Sequence, residues 1–344
     1  MSAQAPSSDK ERTTSSEPLD SSLVRDSKRY GDTLFSGIST GSALMIFVIL
    51  AAVATFLTTQ AIPAVTREPG PTGLTAVETA GGFWQWVLPL AFGTVWASVL
   101  AMLMAVPLAI GIALFLSHYA PKRVAKTFGY IVDLLAAVPS VVFGLWGVTV
   151  LAPALDPFYR WLNDNLSWIY FFNAWVPYGD GGDLRPNLAA GGQNMLTAAM
   201  VLALMVIPII TALTREVFLQ TPRLHEEASL ALGATRWEMI RQAVLPFGTS
   251  GIISSSMLGL GRALGETMAV AMILPGKVLI SFKLLTFDNP NTIAAYIAQN
   301  FPEAEGDGNH QLIAAGLVLF VITLVVNMVA RAIIHSRREF SGAN

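Results

Sequence analysis

His225-Glu-Glu-Ala-Ser-Leu-Ala-Leu-Gly233-Ala-Thr-Arg-Trp-Glu-Met-Ile-Arg-Gln-Ala-Val-Leu245-Pro246 is a polar, charged island between long apolar runs. It reads as two short helices hinged at a glycine. Thr221 is placed to cap the first helix, with Pro222 in its first turn. Gly233 can take the left-handed conformation that ends a helix. Thr235 and Glu238 then stand at T-x-x-E spacing, a capping box that starts the second helix by satisfying free backbone donors reciprocally. Pro246 stands where that helix must stop or bend, because proline lacks an N–H and its ring crowds the preceding turn. A hairpin over 221–246, set between two apolar runs, is shaped to be gripped by a partner.

The runs on either side set the class. Of 344 residues 53% are hydrophobic and only 13% charged, against about 25% charged in soluble domains; mean hydropathy is +0.55. Six segments, roughly 38–64, 88–116, 127–153, 195–214, 248–275 and 311–334, approach or exceed the ~20 apolar residues that cross a bilayer. Pro107, Pro139 and Pro208 lie inside three of them, tolerable where neighbouring helices satisfy the freed backbone. The expected fold is all-α: a polytopic membrane protein of six transmembrane helices in contact with lipid. A net charge of −2 argues against nucleic acid as a partner. There is no cysteine, and His118, His225, His310 and His335 show no ligand spacing, so neither thiol chemistry nor a metal or cofactor site is expected.

Lysine and arginine placement orients the bundle. With the N-terminus inside, fifteen of the 21 basic residues fall on the inner side, in the tail, the 2–3 and 4–5 loops and the C-terminal end. Arg67, Arg160, Arg185, Lys277 and Lys283 fall outside, and Arg262 lies within a span. This bias puts both termini and the 221–246 hairpin in the cytoplasm. The expected organisation is a disordered cytoplasmic tail (1–33), a first transmembrane helix with its outer loop (34–84), a transmembrane domain (85–335) and a cytoplasmic C-terminus (336–344). The outer loop 154–194 is dense in aromatics, Trp161, Trp168, Tyr170 and Trp175 among them, and reads as a helix lying on the outer leaflet or as a contact surface for an extracytoplasmic partner.

Span five carries charge where charge is costly. Arg262 lies about 21 Å into the span, where insertion costs roughly 2.5–3.5 kcal/mol. Glu266 follows one turn later, on the same helix face. A guanidinium presents a planar fork of donors matched to an oxyanion, and a nearby glutamate can neutralise it when the path is empty. A buried ion pair that fixes helix register is the structural alternative. Gly261 and Gly265 form a G-x-x-x-G pair that would let another backbone approach. Three other fragments carry nothing. The G-x-S-x-G at Gly37 lacks a preceding strand and a triad. The glycines at 259–265 miss the dinucleotide fingerprint by one position. Gly276-Lys277 lacks the phosphate-loop spacing and the following Ser/Thr, so if transport here uses ATP the nucleotide site must be on another chain.

These residues carry a resemblance. Glu227, Ala228, Gly233, Leu245 and Pro246 match the "EAA" coupling loop of ABC-importer permeases, with Ser229 and Ala243 as departures. The stretch from Gly259 to Val270, the Ala137-Val-Pro-Ser-Val-Val-Phe-Gly-Leu-Trp-Gly147 segment and Leu232-Gly-Ala-Thr-Arg-Trp-Glu238 resemble the PstC-type subunit of bacterial phosphate importers. Met268-Ala-Val favours it over the PstA-type sister subunit. The resemblance covers about residues 85–335 and implies the ABC-importer permease fold in a bacterial inner membrane. It implies a transport subunit that is not itself an enzyme, translocating inorganic phosphate, with sulfate or molybdate as rival oxyanions. It implies a PstA-type sister permease, a PstB-type ATPase dimer and a PstS-type phosphate-binding protein as partners. By position it assigns Arg262, Glu266 and Thr267 to the substrate pathway, and Glu226, Glu227, Ala228, Ser229, Gly233, Ala234 and Thr235 to ATPase coupling.

Overall fold

Prolines and small residues set where the spans begin and how closely they pack. The computed structural model describes residues 30–66, 74–178 and 183–338. The expected tail is therefore outside the described residues up to residue 29, and so is the C-terminal end from residue 339. The chain divides into one unit ending at Val53 and another from Ala54 onward. The described part of the first unit is the opening stretch of α1 (Tyr30–Thr66). Its long apolar side chains, such as Phe35, Met45 and Phe47, are exposed, as a hydrocarbon environment permits.

In the second unit α2 (Thr75–Ala80) leads into α3 (Phe83–Leu114), which ends in a π-helical turn, Phe115–Tyr119. Next comes α4 (Lys122–Ala136). It ends because Pro139 restricts the residue before it and has no donor to continue the ladder. The N–H groups of Ala137 and Val138 close back onto Leu134 and Leu135, 3.1 and 3.3 Å away. Helix α5 (Ser140–Trp146) restarts the chain and passes through a second π turn, Gly147–Leu151, into α6 (Ala152–Leu166). The third span is thus Ser140–Leu166 rather than 127–153, and α4 is a separate helix before it. Then follow α7 (Met195–Leu219), α8 (Arg223–Ala231), α9 (Arg236–Met239), α10 (Leu245–Leu264), α11 (Met268–Ile273), α12 (Ile293–Asn300) and α13 (Asp307–Arg338). Among the described residues, six helical stretches are long and apolar enough to cross a membrane. The all-α class stands, with one small addition: β1 (Trp175–Tyr178) pairs antiparallel with β2 (Asp183–Pro186).

Span α7 is the centre. On one side α3 meets it along a four-residue ladder of alanines, Ala97, Ala101, Ala105, Ala109 and Ala113, every one buried. Residues four apart share one helix face, and small side chains there let the backbones approach closely. On the other side α10 meets it through glycines. A Cβ on Gly248 would lie 2.7 Å from Phe218, on Gly251 2.5 Å from Val217, and on Gly259 2.6 Å from Val206. The pair singled out from the sequence is not the one that packs against α7: among the described residues nothing beyond its own helix backbone lies within 4 Å of a Cβ on Gly261, and only its own helix's carbonyls approach Gly265. The helix breaks just after Leu264, which leaves that face outside the α7 contact.

The two loops expected on the outer side pair with each other. Residues 169–196 and 274–292 exchange backbone bonds, with Leu284 donating to Phe171 at 2.9 Å, Phe287 to Asn187 at 2.9 Å and Ala189 to Leu285 at 3.2 Å. Among the described residues beyond Leu166 the aromatic loop forms short helical turns and the small hairpin in place of a surface helix; Trp168 and Tyr170 stay exposed, while other side chains pack inward. The Phe171 ring stacks 6.0 Å from Trp96, and Asn163 accepts the Ala174 N–H at 2.9 Å. A smaller core joins the end of α1 to α3, α12 and α13 through Trp86, Tyr296 and Leu312.

If the α7–α10 contact is built on Gly259, then Gly259→Leu should overpack it by roughly 1–3 kcal/mol. In the purified chain this would lower the thermal midpoint, while Gly261→Ala should leave it unchanged. Equal midpoints for the two variants would overturn this packing.

Candidate functional site

The hairpin is built by its caps. Leu232 caps the C-terminal end of α8 with near-helical geometry, and Gly233 follows at φ +86°. The Gly233 N–H donates to Leu230 O at 3.0 Å and the Ala234 N–H to Ser229 O at 3.2 Å. These are the paired closing bonds of a helix terminus with a left-handed residue. Thr235 then starts α9. Its hydroxyl accepts the Glu238 N–H at 3.3 Å, and its own N–H donates to Glu238 Oε2 at 2.7 Å. The other expected cap is absent. Pro222 occupies the N-cap position of α8, so Thr221 sits one residue too early to reach the first-turn donors. Its hydroxyl is buried and unpartnered.

Pro246 does not stop the second helix. A π-helical turn, Ile240–Val244, precedes it, and α9, this turn and α10 run on as one helical stretch of 29 residues, Arg236–Leu264. The wider turn spaces the carbonyls so that the missing proline donor leaves no break. Met239, Ile240 and Val244 cluster with Ala113 of α3 and Phe218 of α7, fixing the base of the hairpin on the central packing. Its tip faces outward. Glu227 and Ala228 are exposed, Ser229 is half-buried, and the hydroxyl of Ser229 faces Gln242 at 3.5 Å. Glu226 lies 3.4 Å from His118, whose other ring nitrogen is 2.7 Å from Ser117. Leu224, Trp237 and Leu232, the last 90% exposed, add an apolar surface beside the charged residues. In the sequence Leu232 and Trp237 stand out only within the segment that carries the family resemblance; their exposure is a product of the fold.

At the far end of α10, Arg262 lines a cavity of about 610 Å³ with Ile209, Ser254, Met257 and, from α13, Asn327 and Arg331. The Arg262 Nε is buried and has no hydrogen-bond partner. Glu266 is elsewhere. Because α10 ends at Leu264 and α11 starts at Met268, Glu266 lies in the break between them while Arg262 is still on α10, and the expectation of one shared helix face fails. The Glu266 side chain is 8% exposed, and its Oε1 accepts the Ala269 N–H at 3.2 Å, capping α11. Thr267 donates its hydroxyl to Gly265 O at 3.1 Å across the break. Among the described residues no ion pair joins Arg262 to Glu266. The fold instead brings Arg331, counted from the sequence with the C-terminal end, to the same cavity. Two guanidiniums and an amide around one space present several fixed donors to an anion.

A family model described as "Binding-protein-dependent transport system inner membrane component" matches residues 105–339. The chain is 44% identical over 318 residues to the phosphate transport system permease protein PstC 2 of Mycobacterium tuberculosis, covering 89% of this chain and 92% of that protein. It is 48% identical over 259 residues to the phosphate transport system permease protein PstC of Mycobacterium leprae, covering 72% and 77% respectively. The crystal structure of a bacterial ABC transporter involved in the import of the acidic polysaccharide alginate matches with a TM-score of 0.55 at 18% identity, over 88% of this chain and 99% of that one. That last likeness is one of fold alone.

The hairpin's shape should depend on its caps. Thr235→Ala should cost about 1 kcal/mol locally and speed amide exchange across 236–240. Gly233→Ala should strain the turn by roughly 1–2 kcal/mol, with Gly233→Asn milder. Exchange unchanged by Thr235→Ala and by Gly233→Ala would overturn this account.

Proposed function

The chain belongs to the family of binding-protein-dependent transport system inner membrane components, among its PstC phosphate permeases, and from that premise we propose that it carries inorganic phosphate through the membrane as one permease subunit of an ATP-driven importer. It is a multi-pass membrane protein and a transport subunit, not an enzyme. The observation that carries the mechanism is the unbroken helix from Arg236 to Leu264. One end is the hairpin and the other bears Arg262, so a displacement at the hairpin acts on the Arg262 cavity through a rod of about 44 Å.

In this reading the ATPase partner, a PstB-type dimer, grips Glu227, Ala228 and the exposed Leu232 and Trp237, while Glu226 stays tied to His118. Gly233, Ala234 and Thr235 hold the hairpin rigid so that the push is not lost in bending. A PstA-type sister permease completes the path beside α10, and a PstS-type binding protein delivers phosphate to the outer loop layer. Basic-residue bias supports cytoplasmic termini and a cytoplasmic hairpin. Within the path Arg262, joined by Arg331 and Asn327, replaces part of the anion's hydration. Glu266 and Thr267 hold the helix break that lets α11 diverge. Glu266 is thus assigned to shape rather than to neutralising Arg262. Alternating access follows if ATP-driven closure rocks α10 against α7 about its glycine contacts.

Uptake of radiolabelled phosphate at micromolar concentration tests this reading in cells that lack the chain and are complemented with variants. Arg262→Gln should abolish uptake at normal membrane levels, and Arg331→Gln should reduce it severalfold. Glu227→Lys should uncouple ATP hydrolysis from uptake with the complex still assembled. Restoration of sulfate or molybdate uptake in place of phosphate would overturn the substrate. Unaltered uptake by the Arg262 variant would reduce that residue to a structural role.

A further inference from the structure

A second cavity lies where α4, α7 and the start of α8 meet, about 490 Å³ in volume. Lys122, Lys126, Arg215 and Arg223 line it, against a single carboxylate, Asp133. Among the described residues none of these four cations has an ion pair within 4 Å. Lys126 has only the face of Tyr130, 5.9 Å to the ring centre. Arg215 is half-buried, and its Nε is fully buried without a hydrogen-bond partner. Its guanidinium lies against Gly129, where a Cβ would come 3.3 Å from the Nη1 atom, so the absence of a side chain at 129 gives it room.

Two helix starts converge on the same rim. Lys122 is the first residue of α4 and Arg223 the first of α8, each following a proline in the N-cap position that offers no side-chain cap. A helix N-terminus carries partial positive charge and favours anions, so cations at both starts are locally unfavourable. Such a local rule is commonly broken where a ligand restores the balance. Four cations without an ion pair, one of them Arg215 with its buried, unbonded Nε, and two positive helix ends around one space are complementary to an anion with several acceptor oxygens.

We infer that this cavity is a second anion site, separate from the Arg262 cavity, which takes a phosphate-bearing group, either a phospholipid headgroup or free inorganic phosphate. Basic recesses between membrane helices on the cytoplasmic side have the chemistry to hold anionic headgroups. Its place in the fold adds a consequence. Arg223 starts the first helix of the hairpin, and Ser117, which also lines the cavity, contacts the His118 that faces Glu226. An anion here would draw the start of α8 toward α4 and α7 and so restrain the hairpin. That the cavity opens to the cytoplasm rests on the orientation proposed above; its affinity for the anion does not.

The test uses the full-length chain in nanodiscs. One arm measures binding of radiolabelled inorganic phosphate in uncharged phosphatidylcholine. The other measures retention of phosphatidylglycerol and cardiolipin from mixed lipid by native mass spectrometry. Lys126→Gln, on an exposed side chain, keeps the test open if Lys126→Gln/Arg215→Gln fails to fold. Binding in either arm, weakened about tenfold in the double variant and less in the single one, supports the site, and the arm that responds names the source. Both arms are repeated in an Arg262→Gln background, which removes any phosphate held in the Arg262 cavity, so the binding that remains and weakens on Lys126→Gln belongs to this site and a failure of the transport reading does not carry over. Wild type that binds neither ligand, a single variant that binds as well as wild type, or loss only in Arg262→Gln would overturn the inference.

Discussion

The close approach of α3 and α10 to α7 is the constraint on which the rest depends. Between membrane helices there is little hydrophobic driving force, because lipid is as apolar as leucine, so packing must come from close van der Waals contact. The alanine ladder on α3 and Gly248, Gly251 and Gly259 on α10 supply it. Phe218 then fills the space beside Gly248 and joins Met239, Ile240 and Val244 under the hairpin. The same contact that holds the bundle together therefore anchors the hairpin proposed to meet the ATPase.

The charges follow from the same frame. A cation inside a membrane is costly unless a partner, water or a cavity receives it. Here Arg262 opens into a cavity shared with Arg331, and Arg215 into one shared with lysines. The one buried carboxylate between α10 and α11, Glu266, is satisfied by a backbone N–H. Acceptors are thus spent on local shape, and donors are left facing space. That asymmetry suits a protein that must pass or hold anions without trapping them against a fixed counter-charge.

Much of this was legible in the residues themselves. The six spans follow from apolar length, and the closing turn at Gly233 and the box at Thr235 and Glu238 follow from local capping chemistry. What was misread turned on continuity. Pro139 separates α4 from the third span, whereas Pro246 is absorbed by a π turn, and both look alike in the sequence. Likewise Gly261 and Gly265 have the packing spacing, yet Gly248, Gly251 and Gly259 face α7, because which side of a helix is covered depends on its neighbours.

The sequence by itself determined the number of spans, the handle between two of them and the presence of a costly arginine in the membrane. These are properties of short windows: hydrophobic length, backbone capping and the desolvation of a single charge. Only the tertiary structure decided which charges meet. Arg331 joins Arg262, Arg215 joins Lys122 and Lys126, and Glu266 turns away to cap α11. Those pairings link residues far apart along the chain, and they are set by helix packing and by the break after Leu264, neither of which a local pattern encodes.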